Sequence, residues 1–310
     1  MSKNKTWSFL KAGDVVDIIA PASHSPVHKL EKGCEWIRSL GLIPRVPEDL
    51  LDPQIFFSAP LETQLRHLTS ALHSDSKAIW CLRGGYGSMR LVPHLKKMKP
   101  TTPKAFLGFS DITALHLFLN QEWKWPTLHS RVLSQMDPQY GESPDRRELV
   151  NLLFGRSPGV ILTGLIPMNA AALNESVVSG EITGGNLRIV QTSLGLPWQC
   201  RTKNKIVFLE DVDERGYSID RMLEQLIGAG LLDQHPRAVV FGDFTGSKEK
   251  DGKDHSLFAL ESFARRVHYP VFRGVPAGHG TELNHTIPFN TRATLITGKE
   301  GILSIQSGGA

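Results

Sequence analysis

The chain has 310 residues, of which 40% are hydrophobic and 21% charged, and a net charge of +4. That balance excludes a wholly disordered polypeptide, and the length suffices for two domains with buried cores and no disulfide staples. The basic residues are scattered, which excludes a nucleic-acid-binding stripe; the densest run, Lys96-Lys97-Met98-Lys99, reads as the solvated end of a helix.

Taken in chain order, Met1-Ser2-Lys3-Asn4-Lys5 leads into no signal-peptide core, and no apolar run of 18 residues follows anywhere. The expected location is therefore the cytoplasm, with no membrane partner. Residues 15–20 read as a buried strand ending at Pro21. An amphipathic helix is expected over 28–40, with Ser25 at its cap, Pro26 in its first turn and Gly41 at its end. A helix at 61–72, a strand at 78–82, a strand at 105–109 and a helix at 112–119 follow. Repeated strand–turn–helix units predict a parallel, doubly wound sheet, which binds ligands outside the carboxyl ends of its strands. Those ends carry Pro21-Ala22-Ser23, Arg83-Gly84-Gly85-Tyr86-Gly87 and Ser110-Asp111.

A helix opened by Ser143-Pro144 closes at Gly155, and residues 156–180 turn loop-like and strand-like. The domain boundary is placed there, giving domains 1–160 and 161–310. The second half carries strands at 206–209, 238–241, 271–275, 293–296 and 301–305, and helices at 187–194, 219–226 and 256–267. Cys34, Cys81 and Cys200 are odd in number and widely spaced, which suits reduced thiols better than a disulfide framework or a zinc knuckle.

Four features could carry chemistry. Ser110, at a sharp strand-to-helix turn, would stand above the sheet with backbone N–H groups beside it, as a serine nucleophile requires. By itself, Gly108-Phe109-Ser110-Asp111 also fits a serine that caps a helix, and Asp111 could cap that helix too. The glycine-rich strand end could bring backbone N–H donors to an oxyanion. It is no nucleotide site, because Arg90 stands where the third glycine of a dinucleotide fingerprint belongs. His279, between Gly278 and Gly280, could project from a strand end as a base. His67, His73, His94 and His116 lie on or beside helices and are expected at the surface or half-buried. Glu210 ends an apolar strand, with Asp211, Asp213 and Glu214 behind it, and reads either as a buried partner for a base or as part of a solvated acidic loop. His279, Glu282 and His285 lack His-Glu-x-x-His spacing, so neither a metal nor a cofactor is expected.

Together these stretches form a pattern. Ala20-Pro21-Ala22-Ser23, Arg83-Gly84-Gly85-Tyr86-Gly87, Gly108-Phe109-Ser110-Asp111-Ile112-Thr113, Gly184-Gly185-Asn186-Leu187, Phe208-Leu209-Glu210-Asp211-Val212, Ile219-Asp220-Arg221 and Gly278-His279-Gly280 occur in this order. The chain thereby resembles the serine peptidases that comprise LD-carboxypeptidases (muramoyltetrapeptide carboxypeptidases) and microcin C self-immunity peptidases. The resemblance implies an α/β fold: a flavodoxin-like N-terminal domain with a parallel sheet, and a smaller β/α swivelling domain. It implies a homodimer and an active site between the domains. It places a Ser-Glu-His triad on Ser110, Glu210 and His279, and oxyanion donors on the backbone of Gly85, in the turn with Arg83 and Gly84, and of Asp111. The implied substrate is a murein tetrapeptide cut before its terminal D-alanine, whose carboxylate Arg83 or Arg221 could bind. Two alternatives remain: an immunity-type peptidase for acyl-adenylate analogues, with Trp198 or Trp125 as an aromatic shelf, or a silent module that binds peptides or sugars. The chain departs from the family pattern at His129-Ser130-Arg131 and at Asn290, where a glycine is usual.

Overall fold

Strands β1 (Val15–Ile19), β3 (Ala78–Cys81) and β4 (Ala105–Gly108) are almost entirely buried and show no alternation, as parallel strands covered on both faces must be. The computed structural model describes residues 5–141, 143–233, 236–280 and 283–310. It divides into two compact units, one running to Pro158 and rejoined by Ser307–Ala310, the other spanning Gly159–Gln306. In the first, two short strands, β2 (Ile43–Arg45) and β5 (Thr127–His129), complete the order β2-β1-β3-β4-β5, parallel throughout. This is the flavodoxin order, and its switch point falls between β1 and β3.

Helices α1 (Val27–Ser39), α2 (Leu61–His73), α3 (Val92–Leu95), α4 (Thr113–Phe118) and α5 (Pro144–Leu153) belong to the same unit. The apolar faces of α1 and α5 join a core built on Ile18, Ile37, Trp80, Leu107 and Leu153. Trp36 meets Trp80 edge-on at 5.5 Å, a geometry that the ring quadrupoles favour. Two expectations change. Pro26 is itself the cap of α1, because its ψ of 142° is non-helical, so Ser25 lies outside the helix and caps nothing. The helix expected over 112–119 is composite: a 3-10 turn over Ser110–Ile112, then α4, then a π turn over Leu119–Trp123.

The second unit is a closed barrel in the order β10-β6-β13-β12-β7-β8-β9. Its strands are β6 (Gly159–Pro167), β7 (Val177–Asn186), β8 (Lys205–Val212), β9 (Ala238–Thr245), β10 (Val271–Arg273), β12 (Arg292–Ile296) and β13 (Gly301–Gln306), with β11 (Ile287–Phe289) a further strand of the unit. Helices α6 (Ala170–Leu173), α7 (Leu187–Thr192), α8 (Gly216–Gly228) and α9 (Ser256–Arg266) alternate with them. The run β7-β8-β9-β10 is parallel, so its carboxyl ends open on one rim. β8 does not stop at Leu209 as its apolar run suggests but carries Glu210 and Asp211 within it. Between Leu209 and Asp211 its register against β9 slips by one, and β9 takes the extra residue at Gly242-Asp243. Such bulges re-aim side chains.

All three cysteines are buried and free. Among the described residues no helix is long and apolar enough to cross a membrane.

Candidate active site

The turn after β4 is strained. Phe109 is extended (φ −153°, ψ −171°), and Ser110 then enters the left-handed region at φ 63°. That conformation costs an L-residue about 1–2 kcal/mol and persists only where surrounding contacts impose it. Here the Gly108 carbonyl accepts the Ser130 N–H at 3.0 Å and lies 2.8 Å from His116 Nε2, fixing the strand end. Phe109, not Ser110, occupies the cap position, and no side chain caps the turn. The reading of Ser110 as a helix cap is thereby removed, since a cap residue has β-region dihedrals and an accepting side chain.

The glycines beside it are spatial requirements. A Cβ on Gly84 would fall 2.9 Å from Ser110 Cβ and 3.2 Å from its Oγ. Gly85 has φ 101°, and a Cβ there would fall 2.5 Å from Ser23 Oγ. The Ser23 hydroxyl accepts the Tyr86 N–H at 3.1 Å and donates to the Phe56 carbonyl at 2.8 Å, while its N–H donates to Gly84 O at 3.2 Å. The ends of β1, β3 and β4 thus converge around Ser110. Among the described residues no acceptor takes the Gly85 N–H.

Asp111 does not cap its own helix. Its buried carboxylate turns back to accept the Ser88 N–H at 2.7 Å, and its carbonyl accepts the Ser88 hydroxyl at 2.5 Å. Burial pushes its carboxyl up, against the N–H bonds from Ser88 and Gly87. Arg83 is exposed and donates one N–H to His24 O at 2.7 Å. Arg221 lies on the exposed face of α8, over the Tyr217 ring at 5.3 Å.

In the second unit, Glu210 and His279, 69 residues apart, come together: His279 Nδ1 lies 2.6 Å from Glu210 Oε2. Glu210 is 0% exposed, which excludes the solvated acidic loop, and the His279 side chain is 17% exposed. A Cβ on Gly278, at φ 125°, would fall 2.7 Å from Glu210 Oε2, so only glycine lets the carboxylate approach. Burial pulls the His279 pKa down, but the hydrogen bond to Glu210 and the charges of Glu210, Asp211 and Asp213 outweigh it and raise it overall. A buried imidazole with Nδ1 on a carboxylate has its tautomer fixed, leaving Nε2 to exchange protons.

Two carboxylates support the pair: Asp243, which escaped the sequence reading, and Asp211, which it named only as a neighbour of Glu210. Asp211 accepts Asn186 Nδ2 and the Val212 and Arg188 N–H groups, each at 2.9 Å. Burial, helped by the neighbouring Glu210 charge, pushes its pKa up to about 7. Asp243, on the β9 bulge, accepts the Gly280 N–H at 3.1 Å and so grips the residue after His279. Asp211 follows Glu210 and Asp243 follows Gly242, each one residue beyond the end of an apolar run, a weaker form of the signal that marked Glu210.

Other expectations are corrected. His67 and His116 are buried rather than surface groups; His67 faces Asp49 at 2.9 Å, and burial holds His116 down at about 4. Trp125 and Trp198 are buried in the apolar interior and offer no exposed shelf. Asn290 has φ 57°, a left-handed conformation that asparagine tolerates best after glycine, so its replacement of glycine keeps the backbone path. Glu282 and residues 1–4 lie outside the described residues. Among the described residues no group of three or more His, Cys, Asp or Glu side chains could hold a metal.

The chain is similar to known carboxypeptidases. A model of the LD-carboxypeptidase N-terminal domain matches residues 16–130, and one of the C-terminal domain matches residues 179–295. A putative carboxypeptidase of Rickettsia conorii is 40% identical over 247 residues, 79% of this chain and 76% of its own. A probable murein peptide carboxypeptidase of Bacillus subtilis is 29% identical over 294 residues, 94% of this chain and 91% of its own. The crystal structure of muramoyltetrapeptide carboxypeptidase from Oxalobacter formigenes superposes with TM-score 0.78 at 26% identity, over 94% of this chain and 98% of that one. The microcin C7 self-immunity protein shares the fold, with TM-score 0.81 at 17% identity, over 98% of this chain and 99% of that one.

Proposed function

Because this chain belongs to the LD-carboxypeptidase family, we propose that it hydrolyses the bond between the diamino acid and the terminal D-alanine of murein tetrapeptides, with Ser110 as nucleophile. The observation that carries this reading is the buried Glu210–His279 pair at 2.6 Å, an oriented base of the kind a serine hydroxyl needs. His279 Nε2 takes the Ser110 proton as Oγ attacks the scissile carbonyl carbon. The Gly85 and Asp111 N–H groups hold the oxyanion, each such donor contributing about 2.7–4 kcal/mol to the transition state. Collapse breaks the C–N bond, and His279 returns the proton to the departing D-alanine amine. Water, deprotonated by the same imidazole, releases the acyl group from Ser110. Glu210 keeps Nδ1 protonated and stabilises the imidazolium. Arg83, in the same turn as Gly84 and with one of its five N–H donors on His24 O, is the cation for the terminal carboxylate.

The same family reading makes the enzyme a cytoplasmic homodimer, which sedimentation of the purified protein tests. The function is tested by incubating L-Ala-D-Glu-meso-diaminopimelate-D-Ala with wild type and Ser110→Ala. Free D-alanine is expected from the wild type alone. Equal release by the variant, or none by either, would reject the assignment.

A further inference from the structure

Beside the glycine turn the first unit displays aromatic surface that the chemistry above does not use. Ile55 is 91% exposed, Phe56 60% and Tyr86 50%. Phe56, Phe57 and Tyr86 pack ring against ring, with centroids 6.1, 6.2 and 5.6 Å apart. The Arg90 guanidinium covers Phe57 at 3.8 Å and backs the cluster. The segment is held firmly. Ser58 donates to Ala22 O through its N–H and to Ala20 O through its hydroxyl, Gln64 Nε2 reaches both carbonyls, and Ser23 takes the Phe56 carbonyl. A Cβ on Gly87 would fall 2.7 Å from Phe57 Cδ1, so that glycine too makes room for the rings. Large apolar side chains in contact with one another at the surface make a contiguous patch rather than scattered exposure, which calls for an occupant.

We propose that Phe56 and Tyr86 form a shelf for the pyranose ring of sugar-linked tetrapeptides, the N-acetylmuramoyl form of the substrate; this rests on the carboxypeptidase reading above. Continuity places the shelf on the substrate's path. Gly84 lies against Ser110, Tyr86 is two residues further on, and the Phe56 ring is one 6.2 Å step beyond Tyr86. Three residues separate the sugar from the scissile bond, and an extended tripeptide spans roughly 10 Å, the same order as that path. The chemistry agrees. A peptide stem of carboxylates and amides asks for cations and N–H donors, which the glycine turn and Arg83 supply. A pyranose presents an apolar C–H face rimmed by hydroxyls, which matches aromatic surface with a phenol at its edge.

The test compares kcat/KM for the free tetrapeptide and for N-acetylmuramoyl-tetrapeptide in wild type, Phe56→Ala and Phe56→Leu. On the sugar-linked substrate both variants should lose about 5–10-fold, mostly in KM, and on the free peptide they should stay within about twofold. Equal losses on both substrates, or no loss on either, overturn the shelf. Selective loss on an acyl-adenylate analogue would assign the rings to a nucleobase instead, and loss on both with a change in sedimentation would assign them to a second copy of the chain. If the wild type cleaves neither murein substrate, the functional reading fails and the shelf is still decided separately. Calorimetric binding of the N-acetylmuramoyl-tetrapeptide to Ser110→Ala should then weaken about 5–10-fold on adding Phe56→Ala, and unchanged binding overturns it.

Discussion

The turns that carry Ser110 and His279 solve opposite problems. At Ser110 a neutral group is presented by backbone strain: φ 63°, with Gly84 giving way to its side chain and Gly85 to Ser23. The carboxylate next to it, Asp111, serves Ser88. At His279 the strain is on glycine, and the ordering force is charge, a buried Glu210 beside the imidazole with Asp211 behind it. Geometry changes should therefore disable the first turn without a signature in pH, and charge changes should disable the second with one.

The largest expected effect is on the first turn. Ser110→Gly should lower kcat by about 10⁴–10⁶-fold. Relief of the left-handed serine should raise stability by about 1 kcal/mol in the same protein, read as a higher denaturation midpoint. A variant both inactive and less stable would break the strain half of the comparison.

Glu210→Gln comes next, with kcat at neutral pH falling by about 10³–10⁴-fold as the imidazole loses its orienting partner. Its pH profile separates the two turns. The raised His279 pKa puts the acid limb of the wild-type kcat/KM above 6.5, the ordinary value, because only neutral imidazole accepts the serine proton. Without the Glu210 charge, burial dominates and the limb should move to lower pH. The stability contributed by the raised His279 pKa is fully present below 6.5 and is lost as pH climbs through the raised value, and the variant should lack that dependence. An unmoved limb would contradict the electrostatic account.

Gly278→Ala should cost about 10²-fold in kcat, since the new Cβ would displace a carboxylate that lies 2.7 Å away. The smallest change is Asp211→Asn, which sets an NH2 against one of three N–H donors and should cost about 1–3 kcal/mol in stability. The Asp211 pKa of about 7 in the fold exceeds its ordinary 3.8, so the wild type gains at low pH and its lead over the variant should narrow as pH rises from 3.8 to about 7. Denaturation midpoints across that range check the sign.

Much of this contrast was readable in the residues. Ser110 and the glycines before it stand in an unbroken strand–turn–helix stretch, where local pattern and final geometry coincide. Glu210 stood out because a carboxylate at the end of an apolar run must be buried with a partner or not buried at all. Asp243 stands one residue further from its run, 238–241, with Gly242 between, so the same rule applied strictly passes over it. Strands β2, β5 and β11, three residues each, are too short to show a period. His116 misled because α4 is buried on every side, so no exposed face exists to which a polar residue can be assigned. That Trp125 and Trp198 pack inside, while Phe56 and Tyr86 do not, depends on tertiary packing that no local pattern encodes.

The claim that Ser110 is a nucleophile activated by the Glu210–His279 pair is tested most directly by phosphonylation. The protein is treated with a fluorophosphonate across pH, and the labelled peptide is identified in wild type and His279→Ala. The account predicts one label per chain, on Ser110, forming faster as His279 deprotonates and slowed by at least about 10³-fold in the variant. Label on another residue, or equal rates in the two proteins, would contradict it.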